Sequence, residues 1–157
     1  MKKFLLSIIT LIFVSTAAFA DNAAEALLFF KNYVAAANSY SDSVATMYSP
    51  SAKIIRQVVK PDGTTANAYT DTATYLRQMK IGQAGAKLRN YTNSYSNITV
   101  TPITETKYKI SSLRQPKGET YKLKTYMIIQ KQPNGKWLIV EEMMQTKMQI
   151  FLKYVKS

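Results

Sequence analysis

Two neighbouring carboxylates, Glu141 and Glu142, are the residues of this chain best suited to acid–base chemistry. They lie in an alternating run, so on a strand one faces the core and the other faces away. A core-facing acid is either a proton donor or acceptor with a raised pKa, or the partner of an inner Arg or Lys. Other chemistry-bearing types are scarce. The chain has no histidine and no cysteine, which removes the commonest general base, the commonest metal ligands and any disulfide. The remaining acids are scattered, without the Asp-x-Asp spacing of a calcium loop. Neither a metal nor a cofactor is expected, and no catalytic set is assigned.

Tyrosine is in excess, with eleven, beside seven methionines. Tyr33, Tyr48, Tyr75, Tyr108 and Met127 all fall on faces expected to point inward. Two readings stay open. They line a pocket for a flat or acyl ligand, with phenol hydroxyls orienting it and methionine adapting its shape, or they fill an ordinary core. A second candidate is a basic row, Lys107, Lys109, Lys122 and Lys124, on the opposite face of two strands with Tyr126 beside it. Such a row is a solvated face, a contact for anionic lipid or lipopolysaccharide, or a partner surface. Nucleic acid is disfavoured as its target in an exported protein.

Export is read from the N-terminus. Lys2 and Lys3 precede an apolar run over 4–14, and Ala18-Phe19-Ala20 has the small-x-small pattern of a cleavage site. The run falls short of the ~20 residues of a membrane span. Residues 1–20 are therefore expected to be a bacterial signal peptide cut after Ala20, leaving a periplasmic or secreted single domain over 21–157. The net charge is +12, and removing Lys2 and Lys3 takes it to +10. Nearly all of the positive charge lies after Pro50, a field that attracts anionic partners or simply favours solubility.

The spacing predicts a helix from Asp21 or Asn22, with Ala23, Leu27, Phe30, Val34 and Ala37 as its apolar stripe. Glu25 and Asn32 fall opposite, and Phe29 is placed on the far side as a partner contact. A second short helix, capped by Asp42 or Ser43, would carry Val44, Met47 and Tyr48 and end at Pro50. A strand over 53–60, a turn at Pro61-Asp62-Gly63 and a strand over 64–69 follow. A third helix starts at Thr70 or Asp71, turns Tyr75, Leu76 and Met79 inward, and fades at Gly82 and Gly85. Antiparallel strands are predicted over 91–102, 107–113, 120–132 and 137–146, with hairpin turns at Pro116-Lys117-Gly118 and Pro133-Asn134-Gly135. The basic tail after 147 extends the last strand or forms a short helix.

Three local passages agree with this order. They are Phe29-Phe30-x-x-Tyr33 in the first helix, Val44-x-x-Met47-Tyr48-Ser49-Pro50-Ser51-Ala52-Lys53-Ile54 from second helix to first strand, and Gly135-Lys136-Trp137-Leu138-Ile139-Val140-Glu141-Glu142 in the last strand. Taken in order, they resemble the NTF2-like superfamily, which includes nuclear transport factor 2, ketosteroid isomerase, scytalone dehydratase and SnoaL-like proteins. The resemblance implies an α+β fold in which a strongly curved antiparallel sheet wraps around three helices, in the order α-α-β-β-α-β-β-β-β, and encloses a cone-shaped cavity. Members use that cavity as an active site or ligand pocket, or fill it and act as interaction domains that commonly dimerise through the sheet. Isomerase members use a carboxylate base with a Tyr-plus-acid oxyanion hole, and dehydratase members a His-Asp pair. Of these groups only Tyr33 carries over, because the strand after Pro50 offers Lys53 and Arg56 rather than an acid. The expectation is a non-catalytic exported domain binding a small amphipathic or anionic ligand in its cavity, or a partner through its sheet. One alternative is an isomerase or dehydratase acting on a small hydrophobic substrate. The other is a basic module on anionic lipid or lipopolysaccharide.

Overall fold

The computed structural model describes the backbone of residues 2–155 and the side chains of residues 18–155. Most side chains of the expected leader, residues 1–20, therefore lie outside the described residues. Helix α1 spans Lys2–Asn38 without interruption, so Asp21 and Asn22 are interior residues and not caps. The Asn22 amide instead donates to the Glu105 carbonyl at 2.9 Å and accepts from Lys131 Nζ at 3.0 Å. Among the described residues, no helix is long and apolar enough to cross a membrane.

The buried residues of α1 are Ala26, Phe30 and Tyr33; of the predicted stripe Phe30 is buried, whereas Ala23, Leu27, Val34 and Ala37 are only half-buried. Phe29 packs partly against the core, and Leu28 is exposed. A 3-10 helix over Asp42–Met47 follows, capped by Ser41, whose hydroxyl accepts from the Ser43 amide. It ends before Tyr48, and Pro50 lies inside strand β1 (Tyr48–Val59). Pro50 is tolerated there because the pairing of β1 with the last strand is irregular between Tyr48 and Lys53, where a missing ladder donor costs little.

Strand β2 (Thr65–Thr70) returns antiparallel to β1. In the turn between them Gly63 has φ 83°, and Asp62 Oδ1 accepts from the Thr64 amide and hydroxyl. Helix α2 (Thr72–Leu88) is capped by Asp71, whose carboxylate accepts from the Thr74 amide. It passes straight through Gly82 and Gly85, because good helix formers flank them and each exposed glycine costs only about 1 kcal/mol. Strands β3 (Asn93–Thr104), β4 (Lys107–Pro116), β5 (Leu123–Lys131) and β6 (Trp137–Thr146) complete one sheet of order β2-β1-β6-β5-β4-β3. Every ladder is antiparallel except β1–β6, which is parallel. The sheet is thus mixed, and the long crossover through α2 and β3 to β5 permits the parallel pair.

Both helices lie on one face of the sheet, over a core of Phe30, Tyr33, Tyr48, Ile54, Tyr108, Ile110, Met127, Ile129 and Trp137. The edge of β2 is covered by the tail, where a 3-10 helix over Gln149–Tyr154 leads to a bridge between Val155 and Ala68. Edge strand β3 is broken by register shifts at Ser96/Thr99 and Pro102/Thr104, with Asn97 at φ 53°. Such irregularities bend a strand and blunt its edge against further pairing.

Candidate functional site

The two adjacent glutamates are sorted by one extra residue. In the β5–β6 ladder Ile129 opposes Ile139, but Ile128 opposes Glu141, so Val140 is a bulge. Simple alternation from Trp137 and Ile139 would turn Glu141 inward. The bulge resets the parity, and Glu142 enters the core with 0% of its surface exposed. Glu141 faces away from the helices, where it accepts from the Tyr126 hydroxyl at 2.6 Å and lies 4.0 Å from Lys53 Nζ.

Glu142 is enclosed by residues from three elements. Arg56 of β1 donates from Nη1 to Oε1 at 2.9 Å, forming an ion pair. Tyr48, at the start of β1, donates to Oε2, and Tyr33 of α1 donates to the same oxygen at 3.3 Å. The Tyr33 and Tyr48 hydroxyls are 3.2 Å apart, and Tyr75 of α2 extends the chain to 3.5 Å from Tyr48. The Tyr75 ring also lies beneath the Arg56 guanidinium at 4.7 Å. This positioning follows from local sequence. Tyr75 is four residues past the Asp71 cap, on the α2 side that faces β1. Arg56 follows Ile54 by two and so shares its face.

The electrostatics match a closed structural cluster. Burial first, and then the charge of Glu142, hold the Tyr33 and Tyr48 hydroxyls well above the ordinary tyrosine value. Tyr75 is raised for the same two reasons. Burial disfavours the Arg56 cation, but Tyr75 and Glu142 together outweigh it and keep the guanidinium charged. The sign of the pH dependence follows. The tyrosine reference value is 10.0, so the stability from protonated Tyr33 and Tyr48 is complete below that pH. It is lost as pH climbs through it toward the raised folded values, because the unfolded chain releases its protons first. The denaturant midpoint should therefore fall between about pH 9 and about pH 11, and less steeply in a Tyr33→Phe/Tyr48→Phe double variant. Ionisation of all eleven tyrosines near pH 10 with the fold intact would contradict this burial.

Of the other residues expected to line a pocket, Met127 joins the cluster, opposite Glu142 in the β5–β6 ladder. Tyr108 does not. It stacks edge-on against Trp137 at 5.9 Å and donates to the Phe19 carbonyl of α1 at 3.1 Å. Lys107, Lys109 and Lys124 do lie on the sheet face away from the helices, Lys109 over the Tyr126 ring at 4.2 Å. Lys122 precedes β5 and donates to Ser96 at 3.4 Å. Glu141 interrupts this face, so it is not uniformly basic.

A second polar group went unread in the sequence. Carrying the β4 alternation two residues past Ile110 and then two more puts Ser112 and Arg114 on the helix-bearing face. There they are 6% and 8% exposed. Arg114 donates to Asn93 Oδ1 at 2.8 Å and to the Gln145 carbonyl at 2.9 Å. Asn38 in turn clasps the Asn93 backbone at both its amide and carbonyl, each at 2.9 Å. These bonds tie the end of α1 to β3, β4 and β6. Among the described residues, Ser112 Oγ and Arg114 Nε are buried side-chain atoms without a partner.

One open space lies between the helices. A cleft of about 380 Å³ separates the end of α1 and the first 3-10 helix from α2. Its walls are apolar, from Ala37, Val44, Ala45, Leu76, Met79 and Ala86. Its rim carries the Lys80–Asp42 ion pair at 2.6 Å and the Gln83 side chain, which donates to the Tyr40 carbonyl. Among the described residues, no group of three His, Cys, Asp or Glu could hold a metal.

The fold is that of the NTF2-like superfamily, and the comparisons with solved structures carry that statement. A protein from Novosphingobium aromaticivorans DSM 12444, provisionally named as a scytalone dehydratase, superposes with a TM-score of 0.63 at 15% identity, over 85% of this chain and 89% of that one. An NTF2-like protein of unknown function from Shewanella oneidensis MR-1 gives 0.59 at 14% identity, over 81% and 98%. A protein from Shewanella frigidimarina NCIMB 400, provisionally named as a ketosteroid isomerase, gives 0.55 at 16%, over 78% and 94%. At such identities the likeness is one of fold alone. No protein-family model matches the sequence, and no curated protein is similar to it in sequence.

Proposed function

We propose that this chain is an exported, non-catalytic NTF2-like domain that binds a small amphipathic ligand in the cleft between α1 and α2. The observation that carries this reading is the division of labour on the helix-bearing side. The one core carboxylate of the cluster, Glu142, is saturated by Arg56, Tyr48 and Tyr33. An apolar cleft lies apart from that cluster, between Val44, Leu76 and Met79. An isomerase or dehydratase needs an acid or base open to substrate, and Glu142 is enclosed. The cleft's volume falls in the range of about 300–1,000 Å³ typical of small-ligand sites. An acyl or ring portion would lie among the aliphatic walls, and a polar or anionic head would meet Lys80 and Gln83 at the rim. Export to the periplasm or medium is part of the same proposal and rests on the leader pattern of residues 1–20.

Anilinonaphthalene sulfonate, an apolar anion, is a suitable probe. It should bind the mature chain at one site, and Ala45→Trp, which fills the cleft from the first 3-10 helix, should weaken that binding at least tenfold. Tyr33→Phe should leave it unchanged. Probe binding that survives Ala45→Trp but is lost in Tyr33→Phe would place the ligand in the tyrosine cluster and overturn the assignment.

A further inference from the structure

Helix α2 has two faces, and only one is used by the fold. Its inner side, with Tyr75, Leu76 and Met79, packs against the core. On its outer side Ile81, Ala84 and Leu88 recur at three- and four-residue spacing and form a stripe. Ile81 is 75% exposed and Leu88 89%, an unusual degree for two large aliphatic side chains on one helix face. Arg77 lies in line with the stripe, Lys80 and Lys87 flank it on one side, and Arg89 caps the helix end. The helix contains no acidic residue between Thr72 and Leu88. Of these cations, Lys80 has a carboxylate partner, Asp42, and that pair is itself exposed.

We infer that this face of α2 docks on an anionic phospholipid surface. An apolar stripe bordered by cations, on a helix lying along the protein's exterior, is the arrangement that settles into the boundary between head groups and acyl chains. The aliphatic tips of Ile81 and Leu88 enter that boundary. Arg77, Lys87 and Arg89 meet the phosphates; among the described residues none of the three forms an ion pair within 4.0 Å, and the nearest acids, Asp71 and Asp42, lie off the helix body. Charge complementarity selects this occupant over a neutral bilayer, and the net charge, +12 for the whole sequence and +10 without Lys2 and Lys3, draws it toward the same surface from a distance. The inference is independent of what the cleft holds, since the stripe lies on the side of α2 away from the core.

The test is co-sedimentation of the mature chain with vesicles of phosphatidylcholine alone and of phosphatidylcholine mixed with phosphatidylglycerol. Binding to the anionic vesicles only, weakening as salt rises, is expected. Arg77→Gln/Lys87→Gln should weaken it about fivefold for each charge removed, and Ile81→Ser/Leu88→Ser about tenfold or more. All four side chains are exposed, so these variants should fold. Because the chain has no cysteine, Ala84→Cys labelled with an environment-sensitive dye gives a local readout. Its emission should shift blue on anionic vesicles, whereas a label at Lys109→Cys on the sheet face should not respond. The following results would each overturn the inference. One is no binding to anionic vesicles at low salt. Another is binding untouched by either α2 double variant, or a dye response from the sheet face only. The last is capture of a protein partner by the α2 face without vesicle binding.

Discussion

Replacing Glu142 by Gln should destabilise the domain by about 3–5 kcal/mol, because it leaves the Arg56 guanidinium charged and unpaired inside the fold. The Tyr33 and Tyr48 hydroxyls would lose their ionised acceptor at the same time. For a domain of this size the melting temperature should fall by roughly 10 °C, measured by circular dichroism. Arg56→Met should cost a comparable amount by stranding the carboxyl. The informative variant is the double one, Arg56→Met/Glu142→Leu, which removes both charges and keeps most of the volume. Buried pairs replaced in this way are often neutral or better, and the tyrosine hydroxyls can still bond one another. The double variant should therefore melt well above either single one, a non-additivity that only a direct pair produces. If the losses simply added, Glu142 and Arg56 would not be a unit.

The second large effect is at Phe30, 3% exposed at the centre of the α1 stripe. Its ring meets Tyr95 of β3 edge-on at 5.4 Å, so it packs the helix against the far side of the sheet from Arg56. Phe30→Ala should cost about 3–5 kcal/mol from lost burial and the cavity left behind. Phe30→Leu should cost less than half as much. Leu28→Ala, one turn face away and exposed, should be nearly silent in the same denaturant titration. A large loss at Leu28 with little at Phe30 would contradict the packing of α1 through Ala26, Phe30 and Tyr33.

Local chemistry was legible in this sequence, and long-range pairing was not. Pro61-Asp62-Gly63 and Pro133-Asn134-Gly135 mark their turns because Gly63 and Gly135 must take positive φ there. Alternation in β4 and β5 gave the correct inner face because both strands pair regularly with each other. The inward choice between Glu141 and Glu142 depended on a bulge at Val140, which has no signature in residue type. Pro50 looks like a helix stop, yet it sits in an irregular stretch of β1 made possible by a partner strand about 90 residues away. Tyr33, Tyr48 and Tyr75 were recognised as inward from helical and strand spacing. That they converge on one carboxylate while Tyr108 goes elsewhere is set by β1 lying beside β6, and no local pattern encodes that. The cleft was missed because its walls come from α1, the first 3-10 helix and α2, whose placement against one another no local pattern encodes.

Titration calorimetry of the Arg56→Met/Glu142→Leu variant with anilinonaphthalene sulfonate bears most directly on whether Glu142 holds the fold while the cleft holds the ligand. A folded variant that binds the probe with wild-type affinity is the expected result. A folded variant that no longer binds it would contradict the reading and return the tyrosine–glutamate cluster to the centre of the protein's chemistry.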